Sequence, residues 1–217
     1  MLHCVHGGFL FKLLKIHLSL LLLFFTTLFS HTALCGSNIW KVTRKSPHEF
    51  LILNKGINAL EKRLEMIERA KKSIEIEYFI YNTDRSSRLV THALIKKAKE
   101  GVAVRILLDH FLPIGEITLF HAHELKKAGI KIRYYNTVPL IQFSKFGYRD
   151  HRKMFIVDGK EIITGGRNIG DDYFDLSPHF NFLDRDVYIK GPIVNDMLIT
   201  YNEYWESGPS RNVRRPS

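Results

Sequence analysis

The sequence predicts an α/β domain built on a mixed, largely parallel sheet flanked by helices, and three observations carry that expectation. Helix-period segments alternate with short β-rich runs through the middle of the chain, a hairpin signal follows them, and two cysteines are too few for a disulfide scaffold. The 217 residues are 45% hydrophobic and 12% aromatic, which supports one real core but not two ordinary domains. An excess of 32 Lys+Arg over 22 Asp+Glu gives a net charge of +10. That charge suits an anionic partner such as nucleic acid, phospholipid head groups or a membrane surface.

The first element is a leader rather than part of the fold. Lys12 and Lys15 precede an uninterrupted apolar run from Leu18 to Phe29, and small residues follow near Cys35. Residues 1–35 therefore read as a signal peptide or an N-terminal membrane anchor, and the chain as exported or membrane-associated. The run is shorter than the about 20 residues that span a bilayer, and Leu34 is bulky for a lipoprotein box at Cys35. Cys4 and Cys35 both lie in this leader, so the domain has no cysteine for a metal. Residues 36–56, with Pro47, read as a linker.

From Ile57 the spacing of Leu60, Leu64, Ile67 and Ala70 predicts an amphipathic helix ending near Lys72. Ser73 to Tyr81 alternates and predicts a strand. Ser86 to Lys99 predicts a helix stopped by Gly101, Val102 to Asp109 a buried strand, Ile117 to Lys127 a helix, and Ile130 to Tyr135 a strand. Strands separated by helices imply parallel pairing. Lys153 to Val157 and Glu161 to Thr164 flank Asp158-Gly159-Lys160, a hairpin signal. Asp186 to Lys190 predicts the last strand and Val194 to Trp205 a closing helix. The domain is thus expected over 57–207, with 208–217 a basic disordered tail.

The chemistry concentrates in His151-Arg152-Lys153 to Asp158 and in Gly165-Gly166-Arg167-Asn168. Residues two apart on a strand share a face, so His151 and Lys153 project together: a nucleophile that is neutral near pH 7 beside a fixed cation. Such a pair suits attack on a phosphodiester while the cation holds its non-bridging oxygens. Glycines at 165 and 166 permit close backbone approach, and Asn168 offers an amide to the same phosphate. Asp158 is ambiguous at this level, because Asp-Gly is also good turn chemistry. His121 and His123 have no third metal ligand nearby and read as a solvated helix face; Asp109 and His110 end a strand, where a ligand or a loop start are both ordinary. The glycines lack dinucleotide-binding spacing.

The six positions His151, Lys153, Asp158, Gly165, Gly166 and Asn168 match the H-x-K-x4-D and G-(G or S)-x-N signature, and the sequence here resembles the phospholipase D superfamily. The flanks at 165–174, Asp184 to Val187, Gly191-Pro192 and Tyr204-Trp205 are similar to the first half of bacterial cardiolipin synthases. The resemblance implies a phosphohistidine mechanism on a phospholipid substrate at a membrane surface, with neither metal nor other cofactor. It assigns His151, Lys153, Asp158 and Asp184 to catalysis, Asp184 as the acid that orients the imidazole in preference to Asp186. It gives the phosphate to Lys153, Gly165, Gly166 and Asn168. Cardiolipin synthases carry two such motifs and this chain has one, so a homodimer, a second-motif partner chain or an inactive truncated half are all open. A single-motif endonuclease acting on nucleic acid is the alternative, weakened by Gly166 where nucleases more often have Ser.

Overall fold

A computed structural model describes residues 48–109, 119–136 and 149–212. The leader, both cysteines, His110 and the tail beyond residue 212 lie outside the described residues. Eight strands form one sheet: β1 (Glu49–Leu53), β2 (Ser73–Tyr78), β3 (Ala103–Asp109), β4 (Lys131–Tyr135), β5 (Met154–Val157), β6 (Glu161–Gly165), β7 (Asp186–Lys190) and β8 (Ser210–Asn212). The helices are α1 (Gly56–Arg69), α2 (Arg85–Lys99), α3 (Leu119–Lys127) and α4 (Ile193–Glu206).

The spatial order is β1-β7-β6-β5-β2-β3-β4-β8. Among the named strands parallel pairing joins β2 to β3 and β3 to β4, where α2 and α3 supply the crossovers. The pairs of β1 with β7, β2 with β5, β4 with β8, β5 with β6, and β6 with β7 are antiparallel. The sheet is mixed and helix-flanked as predicted, with a smaller parallel share than the strand-helix alternation suggests, because the second half of the chain returns through hairpins rather than helices.

Two stretches differ from expectation. The linker predicted at 36–56 contains β1, whose Phe50, Leu51 and Ile52 pair with Ile189, Tyr188 and Val187. A five-residue edge strand bounded by Pro47 and Gly56 is too short for its alternation to stand out. The tail predicted as disordered from 208 contributes β8, where Tyr134 pairs with Arg211 and Tyr135 with Ser210. Its polar side chains gave no periodic signal; the backbone of β4's open edge holds it.

The two faces of the sheet bury separate clusters. On one, Leu60, Met66 and Ile67 of α1, Val90 and Leu94 of α2 and Leu125 of α3 cover Ile74, Ile76, Val104, Ile106 and Phe155. On the other, Val194, Tyr201 and Trp205 of α4 cover Leu107, Met154, Ile156, Ile162 and Ile189. Strands buried on both sides read as apolar runs, which is why β3 and β5 are nearly continuous in Val, Ile, Leu and Phe. Alternation along β2 and β5 decides which side chains reach which face. Glu77 pairs with Met154, Met154 with Thr164, and Gly165 with Asp186, so the end of β2, the start of β5, the end of β6 and the start of β7 meet at one end of the sheet.

Candidate active site

His151 and Lys153 lie just before β5, at that meeting of four strand ends. Lys153 is buried while His151 is exposed. The Lys153 ammonium touches His151 Nδ1 at 3.0 Å and donates to the His151 carbonyl oxygen at 2.7 Å. The imidazole packs on Phe79 with ring centroids 4.8 Å apart. Burial, then the neighbouring Lys153 charge, lowers the His151 pKa below 6.5, while Asp150 and Asp184 pull the other way. The ring is therefore neutral at pH 7, the form a nucleophile needs. Burial also lowers Lys153, opposed by Asp184, Asp150 and Asp186. An ammonium on Nδ1 leaves the ring proton on Nε2, so in the ligand-free site Lys153 holds the imidazole in one tautomer.

Gly165 and Gly166 sit where no side chain fits. Gly165 has φ +155, and a Cβ there would stand 2.4 Å from the Arg185 carbonyl oxygen. A Cβ on Gly166 would stand 2.2 Å from Asp184 Oδ1. The glycines thus let the segment entering β7 close over the end of β6 and bring Asp184 in beside the pair. Asp184 is near enough for its charge to act on both His151 and Lys153. Asn168 is buried, its Oδ1 accepting from the Ile80 N–H at 3.0 Å, which turns its amide nitrogen away from the Ile80 backbone. The Tyr173 hydroxyl lies against Asn168; its pKa is raised by burial first and by Asp172 and Asp184, with the Asn168 hydrogen bond opposing.

Asp186 has a different position. It is fully buried, accepts from Arg63 Nη2 at 2.9 Å and from the Arg167 N–H at 3.2 Å, and belongs to the frame. Arg63 also donates to the Tyr78 hydroxyl at 3.1 Å, and Arg167 to the carbonyls of Leu53 and Asn54 at 2.9 and 2.7 Å. These two buried arginines tie α1, β1, β2 and β7 behind the site. Sequence reasoning missed both: Arg63 follows Lys62 among the charged residues that periodicity assigns to solvent, and Arg167 is the variable position between Gly166 and Asn168 of the motif.

Asp158, expected among the catalytic residues, lies apart from His151 and Lys153 in the structure. It stands at the far end of β5, on the order of 20 Å of extended chain from His151. Its carboxylate accepts from the backbone N–H groups of Lys71, Lys72 and Ser73 at 3.0, 2.6 and 3.0 Å. It takes φ +54 in a tight turn closed by the Lys160 N–H on the Val157 carbonyl at 3.0 Å.

A second polar group lies behind the site, on the α4 side. Glu77, Asp109 and Asp150 are buried and pair with the partly exposed Arg149 and Arg152. Arg152 Nε donates to Glu77 Oε1 at 2.6 Å and its guanidinium stacks over Tyr204 at 3.5 Å; the Asp150 N–H donates to Asp109 Oδ2 at 2.7 Å. Burial and the adjacent Asp150 carboxylate push Glu77 up to about 9 against the pull of Arg152, and burial chiefly pushes Asp109 up to about 6. At pH 7 burial therefore favours the neutral form of Glu77, with Arg152 as its opposing partner. Among the described residues no cluster of His, Cys, Asp and Glu could hold a metal ion, and His121 lies outside the described side chains.

A neutral imidazole beside a buried ammonium, on a mixed sheet that brings two glycines and an asparagine to the same end, defines a phospholipase D-like domain. The chain belongs to that superfamily and, within it, to the family described as "Cardiolipin synthase, PLD-like domain", whose model matches residues 64–197. Cardiolipin synthase C of Escherichia coli (strain K12) is 34% identical over 165 residues, covering 70% of this chain and 34% of that protein. The chain spans about a third of the length of the curated relatives it matches. Two solved structures share the fold: phosphatidylserine synthase of Haemophilus influenzae, with a TM-score of 0.64 and 16% identity over 77% of this chain and 40% of that one, and the phospholipase D family member Nuc from Salmonella typhimurium, with a TM-score of 0.58 and 19% identity over 78% of this chain and 100% of that one.

Proposed function

We propose that this domain is a phosphodiesterase or phosphatidyltransferase acting on phospholipids at a membrane surface, through a phosphohistidine on His151. The observation that carries the reading is the direct contact of a neutral, exposed imidazole with a buried ammonium, within a family whose relatives include cardiolipin synthases. A lipid phosphate entering the site draws Lys153 off Nδ1 to a non-bridging oxygen. The ring proton then moves to Nδ1, where the Asp184 carboxylate stabilises it, and the Nε2 lone pair is freed. Nε2 attacks phosphorus, forming the N–P bond as the P–O bond to the leaving alcohol breaks. The leaving oxygen takes its proton from a second motif histidine, supplied by another copy of this chain or by a partner chain. A second alcohol or water then loses its proton to that histidine, forms the new P–O bond and breaks N–P, restoring His151. Gly165, Gly166 and Asn168 line the phosphate's place, and the chemistry draws on no metal or cofactor. Residues 1–35 keep the domain at the cell envelope, as a signal peptide or an anchor; among the described residues no helix is long and apolar enough to cross a membrane.

The test is turnover of labelled phosphatidylglycerol by the full chain in the presence of EDTA. Formation of cardiolipin, phosphatidic acid or an exchange product, lost in His151→Ala, is expected. Unchanged products in His151→Ala would overturn it. The nuclease reading is favoured by the net charge of +10 and the single motif, and cleavage of plasmid DNA without lipid turnover would establish it instead.

A further inference from the structure

The loop between β6 and β7 carries Leu176, Phe180, Phe182 and Leu183 in the open, at 38%, 57%, 41% and 103% exposure. Single exposed apolar residues are ordinary, but four within one short loop make a patch that marks an interaction surface. The loop is built rather than loose. The Leu176 and Phe182 N–H groups donate to the carbonyls of Asp171 and Asp172 at 2.9 and 2.8 Å, and the Asn181 side chain bridges Ser177 through its N–H at 3.1 Å and its carbonyl at 3.0 Å. It is also continuous with the site. Phe180 meets Phe182 edge-on at 5.2 Å, Phe182 stacks on Tyr173 at 4.7 Å, and Tyr173 lies against Asn168 within reach of the Asp184 charge. Leu183 directly precedes Asp184.

We propose that the 176–183 loop docks the domain onto a phospholipid bilayer, seating these apolar side chains at the boundary of head groups and acyl chains so that a head-group phosphate stands at His151. The inference rests on the lipid reading above and names the surface that delivers the substrate. A protein interface of standard size needs about 800 Å² from each partner, broad and complementary. A narrow loop braced by its own hydrogen bonds, with Phe180 and Leu183 as its most exposed apolar side chains, instead suits insertion of about 5–10 Å into a bilayer interface. The exposed Arg185 beside Asp184, and the +10 charge of the chain, complement anionic head groups.

A reporter on the loop itself separates this docking from any attachment through the apolar run at 18–29. The full chain with Cys4→Ser and Cys35→Ser carries Leu183→Cys labelled with an environment-sensitive fluorophore, or in a control Lys99→Cys at the end of α2 remote from the site. With vesicles of phosphatidylglycerol and phosphatidylcholine, emission at 183 shifts to the blue and is quenched by acyl-brominated lipid, while emission at 99 does not move. Adding Phe180→Asp raises the vesicle concentration needed by about 10-fold, the scale of one lost aromatic burial. No shift at 183, or equal shifts at both positions, overturns the proposal. Shielding of 183 that grows with protein concentration in the absence of vesicles also overturns it, and makes the loop a contact between copies. Turnover of a soluble short-chain phosphatidylglycerol by the unlabelled chain tests the lipid chemistry separately: its absence removes that reading whatever the reporter shows.

Discussion

The site turns on a contact between two side chains. Burial and then Lys153 lower the proton affinity of His151, and Lys153 at the same time occupies Nδ1, so one cation both helps keep the ring neutral and fixes its tautomer until a phosphate arrives. Lys153→Met removes the charge while keeping the length of the stem. The His151 pKa is then expected to rise towards its ordinary 6.5, which an NMR titration of the ring protons reads directly. Because the neutral ring is the reactive form, the acid limb of the rate profile moves to higher pH in the variant. The rate on the plateau falls by about 10²–10³-fold, the cost of one lost electrostatic stabiliser. A His151 pKa that stays put or falls would contradict this view of the pair. His151 and Lys153 were legible as a site because a strand puts residues two apart on one face. The partners Phe79 and Tyr173 were not, since an aromatic in an apolar run reads as core.

Elements decide which motif residues can take part. Strand β5 separates the two ends of the H-x-K-x4-D pattern, and the Asp158 carboxylate binds the backbone entering β2, where we expect its role to be structural. Burial opposes but the Ser73, Lys72 and Lys71 N–H groups prevail, holding the Asp158 pKa below 3.8. Its contribution to stability is therefore complete above the ordinary carboxylate range and is lost as pH falls through the depressed folded value. Asp158→Ala is expected to lower unfolding free energy by about 1–3 kcal/mol at pH 7, by denaturant titration, with activity per folded molecule retained. Loss of activity with stability intact would return Asp158 to the site. The sequence made β2, α2, β3 and the β5-β6 hairpin plain, because each has a sustained period or a turn of defined chemistry. It hid β1 and β8, which are short edge strands held by backbone pairing. It also hid the buried Glu77, although two glutamates within the apolar run of β2 were a visible sign that one of them had a special partner.

The whole molecule poses the question of completeness. One fold unit holds one His151 site, and the chain spans about a third of its curated relatives. If two copies supply the nucleophile and the acid across a twofold axis, a pair with only one functional histidine is inactive. Mixing and re-pairing equal amounts of wild type and His151→Ala should then leave about a quarter of the activity, against about a half for independent copies. A half, measured by phosphatidylglycerol turnover, would assign the second motif to a different chain. On the proposed lipid reading, the +10 charge and the apolar run at 18–29 are both expected to favour an anionic lipid surface. The most direct measurement of the central claim is the covalent intermediate itself. The full chain, incubated with phosphatidylglycerol labelled at phosphorus and quenched in alkali, is predicted to carry label on the peptide containing His151, as an acid-labile adduct absent from His151→Gln. Label on another residue, or lipid turnover with no adduct and undiminished in His151→Gln, would contradict it.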